Sequence, residues 1–291
     1  MKIIALDPLS KKLLKKAEKI APTRLPVYLW GESGSGKDTL AEYIHRKSGV
    51  DGKMIKIGNF NISAQLVDSQ IFGHRKGAFS DAFEDRDGFI ALANNGTLYL
   101  DLLDEIPIDV QKKIFPVLES GEFYPLGSES LKKVNLRILA SGELPLEEAV
   151  RTGRIIEKFL HFFTFSLHVP PLRERKKDIL PLIKEFSNGK LKISSDVKEK
   201  IMEYPWWGNI RELKNFVERE ISLGKDEISP PEPAGTYFER EAEVFFRNFP
   251  TLEEFEIWYI KKVLAIFKGN KKKTAEVLGI TRSTLYRKLK K

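Results

Sequence analysis

The chain of 291 residues contains no cysteine, and this absence excludes disulfide bonds, thiolate metal sites and cysteine nucleophiles. The histidines, His45, His74, His161 and His168, are scattered along the sequence and do not suggest a metal site. Residues 1–30 hold no signal-peptide pattern, and no apolar run is long enough to span a bilayer. We therefore expect a cytoplasmic protein with no membrane partner.

The net charge of +8 is concentrated at one end of the sequence. From Lys268 to Lys291 nine basic side chains stand against one acid, Glu276, so this end alone accounts for the whole excess. A concentrated basic end predicts a surface that attracts nucleic acid. A solvated lysine-rich terminus has the same charge, so charge alone does not decide between the two.

Short apolar runs alternate with helical patterns through the first part of the chain. The runs are Val27–Trp30, Met54–Ile57, Thr97–Asp101, Val134–Ala140 and Phe163–Val169. Helical patterns, such as Lys37–Lys47 and Asp109–Glu119, lie between them. This alternation predicts an α/β fold in which a parallel sheet is covered by helices on both faces. Helical periodicity continues from Lys176 to Leu223, and the proline-rich Ser229–Gly235 suggests a linker.

A glycine-rich loop, GESGSGKD, follows the first predicted strand and precedes a helix. Its spacing, G-x-x-x-x-G-K, lets backbone N–H groups surround phosphate oxygens while Lys37 reaches the terminal phosphates. Asp38 stands where a serine or threonine ordinarily binds magnesium, and Thr39 offers a hydroxyl beside it. We expect this loop to bind ATP or ADP. The predicted nucleotide-binding residues are Gly31, Glu32, Ser33, Gly34, Ser35, Gly36, Lys37, Asp38 and Thr39.

The segment GTLYLDLLDEIP contains a second candidate for phosphate chemistry. Asp101 lies at the end of an apolar strand. In a P-loop protein, an acidic residue at the end of such a strand binds Mg²⁺, often through water. Asp101 and Asp38 are therefore the predicted magnesium ligands. The next residue is Leu102, where an enzyme that hydrolyses ATP has a second carboxylate.

The basic end has the pattern of a helix-turn-helix. Asn270–Gly279 and Thr281–Lys291 are helical segments, separated by a tight turn at Gly279–Ile280. We expect the second helix to enter the major groove of double-stranded DNA, and an apolar stripe over Leu252–Phe267 to serve packing or dimerisation. The predicted DNA-binding residues are Thr281, Arg282, Ser283 and Thr284 toward base edges, and Lys271, Lys272, Lys273, Arg287 and Lys288 toward phosphates.

The motifs occur in an order that resembles a known family. GESGSGKD, IFGHRKGAFSDA, NNGTLYLD, DVQKKIFPVLESGEFYPLGS, PPLRERKKDI and WGNIREL follow one another as in the sigma-54-dependent enhancer-binding activators, the NtrC class of AAA+ proteins. The sequence GNKKKTAEVLGITRSTLYRKL resembles their Fis-like helix-turn-helix. The resemblance covers nearly the whole chain and begins almost at residue 1, so we expect no N-terminal receiver domain.

The resemblance implies a fold and a set of partners. It implies a P-loop AAA+ core of three layers over residues 1–175, a helical lid over 176–228, a linker over 229–249 and an all-α helix-turn-helix domain over 250–291. In that family the AAA+ domain forms a ring, usually hexameric, and presses a loop against sigma-54 RNA polymerase. The implied partners are double-stranded DNA, the sigma-54 holoenzyme and further copies of this chain. These copies would form a dimer through the C-terminal domain or an AAA+ ring.

The polymerase-contact loop and the catalytic set of the family are matched only in part. Gly77, Ala78, Phe79 and Ser80 match the contact loop, but Asp81 replaces a glycine, and a plain surface loop is the alternative. Arg211 in GNIREL matches the lid arginine that contacts phosphate, and it joins the predicted nucleotide-binding residues.

The other catalytic positions of the family are altered. Leu102 stands in place of the catalytic glutamate, Ser141–Glu143 offers no asparagine, and no arginine finger follows Arg154. We therefore predict no catalytic residue. A water-positioning carboxylate contributes ~10²–10⁴ in rate, and an arginine finger contributes roughly 10³–10⁵. Lys37 and Arg211, by contrast, act on ground-state phosphates.

We therefore expect a DNA-binding transcription regulator that holds ATP or ADP, with Mg²⁺, and hydrolyses it weakly or not at all. Two alternatives stay open. One is an active ATPase that remodels sigma-54 RNA polymerase, with Glu105 or Glu143 in place of the missing carboxylate. The other is an architectural DNA-binding protein with a vestigial P-loop.

Overall fold

The computed structural model describes residues 3–58, 64–231, 251–266 and 270–289. It divides into two compact units, Met1–Pro231 and Glu232–Lys291. Most of the linker expected over residues 229–249 lies outside the described residues.

Among the described residues, five parallel strands form the central sheet of the first unit. They are β1 (Val27–Trp30), β2 (Met54–Ile57), β3 (Thr97–Leu100), β4 (Arg137–Gly142) and β5 (Phe165–His168). Their order across the sheet is β2-β3-β4-β1-β5, and each strand is parallel to its neighbours. The strands β3 and β4 are buried along their whole length, as strands covered by helices on both faces must be. The predicted α/β fold is confirmed.

Three strands differ in extent from the prediction, since β3 ends at Leu100 and not at Asp101, and β4 and β5 also have other bounds. A hydrogen bond explains where β4 begins. The predicted strand Val134–Ala140 begins only at Arg137, because the Val134 N–H donates to the carbonyl of Gly121 instead of to a sheet neighbour. That contact continues a short antiparallel hairpin between Glu122–Phe123 and Lys132–Lys133. The last strand is also shorter than predicted, at Phe165–His168. A second short hairpin pairs residues 73–74 with 86–87.

Helices cover the sheet and build the lid. Those described in the first unit are α1 (Pro8–Ile20), α2 (Lys37–Lys47), α3 (Ala64–Phe72), α4 (Phe89–Leu92), α5 (Ile108–Ser120), α6 (Leu146–Arg151), α7 (Phe159–Phe162), α8 (Ile179–Phe186), α9 (Ser195–Glu203) and α10 (Asn209–Ser222). The helix α2 has the bounds predicted from the sequence, and α5 extends the predicted Asp109–Glu119 by one residue at each end. Short 3₁₀ turns occupy residues 21–23, 103–105, 172–174 and 176–178.

Two apolar clusters lie on opposite faces of the sheet. Side chains alternate along β1, so Tyr28 packs into one cluster while Val27 and Leu29 pack into the other. The first cluster also contains Phe115 of α5 and Phe159 of α7. The second cluster is closed by residues of α1 and α2.

A third cluster belongs to the lid helices α8, α9 and α10, and Trp206 is its largest buried side chain. The lid is tied to the start of α1 by Asp178, which is fully buried. Its Oδ1 accepts hydrogen bonds from the N–H groups of Leu6 (2.7 Å) and Asp7 (2.8 Å), and its Oδ2 accepts one from the Ser10 hydroxyl. Buried polar groups need such partners, so this carboxylate fixes the lid against the core.

The described helices of the second unit are α11 (Leu252–Ile266), α12 (Lys271–Val277) and α13 (Arg282–Leu289). Ile260, Ala275 and Leu285 form its buried core. Gly279 has φ +64°, the left-handed conformation that lets the chain turn sharply between α12 and α13. The predicted helix-turn-helix is thus confirmed. No helix in the described ranges is both long and apolar enough to cross a membrane.

Candidate nucleotide site and DNA-reading helices

The glycine-rich loop joins the end of β1 to the start of α2. Gly31 and Gly34 have positive φ angles of 150° and 73°. A Cβ atom on Gly31 would lie 2.3 Å from the carbonyl oxygen of Val169, and one on Gly34 would lie 2.5 Å from that of Gly208. Glycine is therefore required at both positions, for lack of space as well as for conformation. The loop leaves its amides at the N-terminus of α2, where the helix dipole favours an anion.

Lys37 is a buried cation at the start of α2. Its Nζ donates hydrogen bonds to the carbonyl oxygens of Gly31 (2.7 Å) and Glu32 (3.1 Å). Burial lowers the pKa of Lys37, while the nearby carboxylates of Glu143 and Asp104 act in the opposite direction. Within the described ranges no carboxylate forms an ion pair with this ammonium, so its charge is available to an anion.

The Ser35 hydroxyl gives a second sign of phosphate binding. This side chain is fully buried, and its Oγ has no hydrogen-bond partner in the described part of the chain. A buried hydroxyl without a partner is costly, and a phosphate oxygen in the loop would satisfy it. Thr39 lies in the first turn of α2, one residue beyond Asp38.

The start of the lid helix α10 packs directly on the loop. Asn209 is fully buried, and its Nδ2 donates to Glu32 Oε2 (3.1 Å) and to the Ser33 carbonyl (3.0 Å). The Ile210 N–H donates to the Gly34 carbonyl at 3.0 Å. Arg211, the predicted lid arginine, reaches the same loop, with its Nη1 2.9 Å from Ser33 Oγ. The structure thus brings Arg211 together with the predicted phosphate loop.

Two further arginines, to which the sequence assigned no role, also hold this loop. Arg173 makes a two-pronged ion pair with Glu32, with Nη1 2.7 Å from Oε2, and it stacks over the Trp207 ring. Burial would raise the pKa of Glu32, but hydrogen bonds from Arg173 and Asn209 lower it below its usual range. Arg175 is buried and donates to the Ser35 carbonyl. Both arginines lie in the motif PPLRERKKDI, which was the one signal available in the sequence.

The two predicted magnesium ligands lie close together, with a lysine between them. Lys56 Nζ lies 2.6 Å from Asp38 Oδ2 and 2.8 Å from Asp101 Oδ2. The Tyr99 hydroxyl donates to Asp38 Oδ1 at 2.8 Å, and the Ser141 hydroxyl donates to Asp101 Oδ1 at 2.8 Å. Sequence reasoning missed Lys56, because an exposed lysine in a strand carries no motif. The magnesium ion itself stays a prediction.

Leu102 follows Asp101 in a left-handed backbone conformation, with φ +50° and ψ 58°. Its N–H donates to the Ser141 hydroxyl at 2.9 Å. The next carboxyl, that of Asp104, is buried and accepts hydrogen bonds from the N–H groups of Glu143 (2.8 Å) and Leu144 (3.4 Å). Burial raises the pKa of Asp104. Asp104 thus caps the turn that follows β4.

The loop that resembles a polymerase contact is a compact surface turn. The Gly77 N–H donates to the Ala82 carbonyl at 2.8 Å, and the Ala78 N–H donates to the carbonyl of Arg75 at 3.0 Å. Phe79 is half-buried and packs edge-on against the His74 ring, with the ring centroids 4.9 Å apart. Ser80 and Asp81, at the tip, are exposed.

In the second unit, Thr281 caps the helix α13. Its Oγ1 accepts from the Thr284 N–H at 3.2 Å and lies 2.9 Å from the hydroxyls of both Ser283 and Thr284. The three hydroxyls predicted to face base edges therefore form one cluster at the N-terminus of the helix. Arg282 is exposed beside them.

The residues of this unit that are predicted to bind DNA phosphates differ in exposure and in their contacts. Arg287 and Lys273 are exposed, and the side chain of Lys272 lies outside the described part. Lys271 Nζ sits 4.5 Å above the centroid of the Tyr286 ring. Lys288 forms an ion pair with Glu256 at 2.5 Å, which DNA would have to displace.

Comparison with known protein families gives matches along almost the whole chain. Residues 3–168 match the Sigma-54 interaction domain, residues 173–232 match the AAA+ ATPase lid domain, and residues 251–291 match the bacterial regulatory proteins of the Fis family. These segments contain the motifs that resemble those of sigma-54 activators, except that PPLRERKKDI begins in the gap between the first two matches.

Curated relatives and solved structures agree with these matches. The sigma54-dependent transcriptional activator SfnR of Pseudomonas putida is 32% identical, over 95% of this chain and 84% of its own length. The alginate biosynthesis transcriptional regulatory protein AlgB of Pseudomonas putida is 36% identical over 98% of this chain, which spans 66% of AlgB. NtrX from Brucella abortus, solved in complex with ATP, has a TM-score of 0.71 at 29% identity, covering 100% of this chain and 69% of that one. Its complex with ADP has a TM-score of 0.70 at 28% identity, over 99% of this chain and 68% of that one.

Proposed function

Because the chain belongs to the family of sigma-54-dependent transcriptional regulators, with an AAA+ domain, its lid and a Fis-type helix-turn-helix, we propose that it is a DNA-binding regulator that holds ATP or ADP without hydrolysing it usefully. The observation that carries this proposal is an intact phosphate-binding loop beside Leu102, a leucine at the strand end where a hydrolytic site needs a carboxylate. We propose that the protein acts in the cytoplasm, as expected of a transcription regulator.

Nucleotide binding is supported by the loop itself and by NtrX. Lys37 offers a buried ammonium without an ion pair among the described residues, and Ser35 offers a buried hydroxyl without a partner there. NtrX, whose structure is similar over the whole chain, has been solved with ATP and with ADP. A nucleotide bound only by the folded protein stabilises it, by about 2.7 kcal/mol at a ligand concentration of 100 Kd.

A thermal unfolding experiment tests this binding. Millimolar ATP or ADP should raise the melting temperature of the protein, and Lys37→Ala should abolish the rise. The matched control is Lys47→Ala, which removes an exposed lysine from the last turn of the same helix α2 and should leave the rise intact. If the wild-type melting curve does not move, the P-loop is vestigial and the architectural alternative replaces our proposal.

The groups around Leu102 support the proposal of weak hydrolysis. A general base must come within hydrogen-bond reach of the attacking water. The Leu102 side chain cannot accept a proton, and the buried Asp104 carboxyl is already bound to the amides of Glu143 and Leu144. Restoring one carboxylate would still leave the charge on the transferred phosphoryl group uncompensated, because no arginine follows Arg154 in the segment where the family has its fingers.

We assign DNA reading to α13, on whose N-terminal turn Arg282 is exposed. With DNA sites selected from a random library, Arg282→Ala should weaken discrimination by ~1–3 kcal/mol at one base pair, if it contacts a guanine. Arg287→Ala serves as the comparison, because loss of a phosphate contact weakens all sequences alike and reduces the salt dependence. A chain truncated after Pro250 that still selects the same site would refute this assignment.

Contact with sigma-54 RNA polymerase through Gly77–Ala82 is also part of the proposal, and so is self-association, as a dimer or a ring. The exposed tip residue Asp81 replaces the glycine of the family. If this loop makes the contact, Asp81→Gly should strengthen the binding of sigma-54 holoenzyme, while Glu84→Gly, at an exposed position nearby, should not. Equal binding by all three proteins would indicate a plain surface loop. Sedimentation with and without nucleotide measures the subunit number.

A further inference from the structure

The two carboxylates expected to bind magnesium have all their oxygens engaged. Asp38 Oδ1 accepts from Tyr99 and Asp101 Oδ1 accepts from Ser141, while both Oδ2 atoms contact Lys56 Nζ. Carboxylates and hydroxyls are suitable ligands for a hard cation, but Mg²⁺ requires oxygens at about 2.0–2.1 Å in octahedral geometry. An ammonium between the two carboxylates takes that space. The residues as arranged do not fit a magnesium ion together with Lys56.

We propose that Lys56 is a built-in counter-ion that takes the place of magnesium, so that this chain binds ATP or ADP without a divalent cation. This inference rests on the proposed nucleotide binding and specifies its cofactor requirement.

The position of Lys56 follows from the strand register. Lys56 on β2 pairs with Tyr99 on β3, so the two side chains lie on the same face of the sheet. Lys56 Nζ lies 5.7 Å from the centroid of the Tyr99 ring, which is fully buried and gives the cation a fixed neighbour. Asp101 lies just beyond the end of β3, and Asp38 lies in the first turn of α2, so three separate elements meet at the ammonium.

Lys56 compensates part of the charge of the carboxylate pair without a metal ion. Asp38 and Asp101 supply two negative charges, and the Lys56 ammonium between them supplies one positive charge. In a site that depends on magnesium, the two carboxylates would remain uncompensated until the metal arrived, and they would repel the phosphates. Here Lys56 reduces that repulsion in advance. The Lys37 ammonium then faces the nucleotide without competition from an unpaired carboxylate of this pair.

The test is the affinity for ADP, measured by calorimetry in EDTA and again in excess Mg²⁺. Wild-type protein should bind ADP in EDTA, with an affinity that Mg²⁺ changes by less than about threefold. Lys56→Met keeps the apolar stem and removes the charge, so it should weaken binding in EDTA by about tenfold or more and make binding depend on Mg²⁺. The control is Lys53→Met, an exposed lysine just before β2, which should behave as wild type.

The outcomes separate this inference from the function on which it rests. If wild-type protein binds ADP in neither condition, the proposed nucleotide binding fails. If it binds ADP only with Mg²⁺, nucleotide binding stands and the role of Lys56 is refuted. The same refutation follows if Lys56→Met and wild type respond alike to Mg²⁺. The wild-type comparison needs no variant, so a Lys56→Met protein that failed to fold would leave the test decisive.

Discussion

Replacing Asn209 by alanine should loosen the lid from the phosphate loop. The Asn209 side chain makes four hydrogen bonds in the described structure: it donates to Glu32, to the carbonyls of Ser33 and Trp207, and it accepts from the Leu172 N–H at 2.7 Å. An unpartnered Leu172 amide costs about 1–3 kcal/mol, and each lost neutral hydrogen bond about 0.5–1.5 kcal/mol. Because Arg173 still holds Glu32, we expect the lost hydrogen bonds to lower the free energy of unfolding by about 3 kcal/mol.

The backbone at Asn209 requires a matched control, since its φ of +55° favours asparagine over alanine. Asn188 has φ +50°, but it is exposed and makes no side-chain hydrogen bond among the described residues. Asn188→Ala should therefore carry only the conformational cost, about 1 kcal/mol. The difference between the two variants isolates the hydrogen bonds of Asn209.

Urea unfolding followed by tryptophan fluorescence measures both variants, because Trp206 and Trp207 lie in the lid. The midpoint should fall much further for Asn209→Ala than for Asn188→Ala, with an unchanged slope. Equal shifts in the two midpoints would refute the reasoning that Asn209 holds the lid on the loop.

Two further predictions concern the stability of the first unit. Asp178→Ala removes the acceptor of the Leu6, Asp7 and Ser10 donors and should lower the free energy of unfolding in urea by about 2–4 kcal/mol. Asp178→Asn keeps one acceptor oxygen and should lower it less. Equal losses of stability in the two variants would contradict this prediction. Burial lowers the pKa of His45, so the unfolded chain takes up its proton at a higher pH than the folded one and stability falls as the pH drops below about 6.5. His45→Gln should reduce the fall in melting temperature between pH 7.5 and pH 5.5 without abolishing it, because burial also lowers the pKa of His168. An unchanged slope would count against this assignment.

The elements and the phosphate loop could be predicted because their signals are local. The spacing of GESGSGKD defines the turn between β1 and α2, and the bounds of α2 follow from that loop and from its own periodicity. The helix-turn-helix was predictable for the same reason, since Ala275, Gly279 and Leu285 have their roles within a few residues of one another.

The contacts that complete the site could not be predicted, because they join distant parts of the chain. Asn209 and Arg173 meet Glu32 across more than a hundred residues, and no spacing rule connects them. Lys56 looks like an ordinary exposed strand residue until the register with Tyr99 places it between two carboxylates. The left-handed backbone of Leu102 could not be predicted from the sequence either, because leucine rarely adopts that conformation.

The central claim, that the nucleotide is held without useful turnover, is tested most directly by single-turnover hydrolysis measured against protein concentration. We expect a rate little above the uncatalysed reaction for wild type and for Leu102→Glu alone. Rescue should require Ile156→Arg and Phe162→Arg, in the segment after Arg154 where the family has its fingers, together with Leu102→Glu, and only at concentrations at which subunits associate. A wild-type rate of roughly 0.1–1 s⁻¹, rising with protein concentration and lost in Lys37→Ala, would contradict the account and establish a working ATPase.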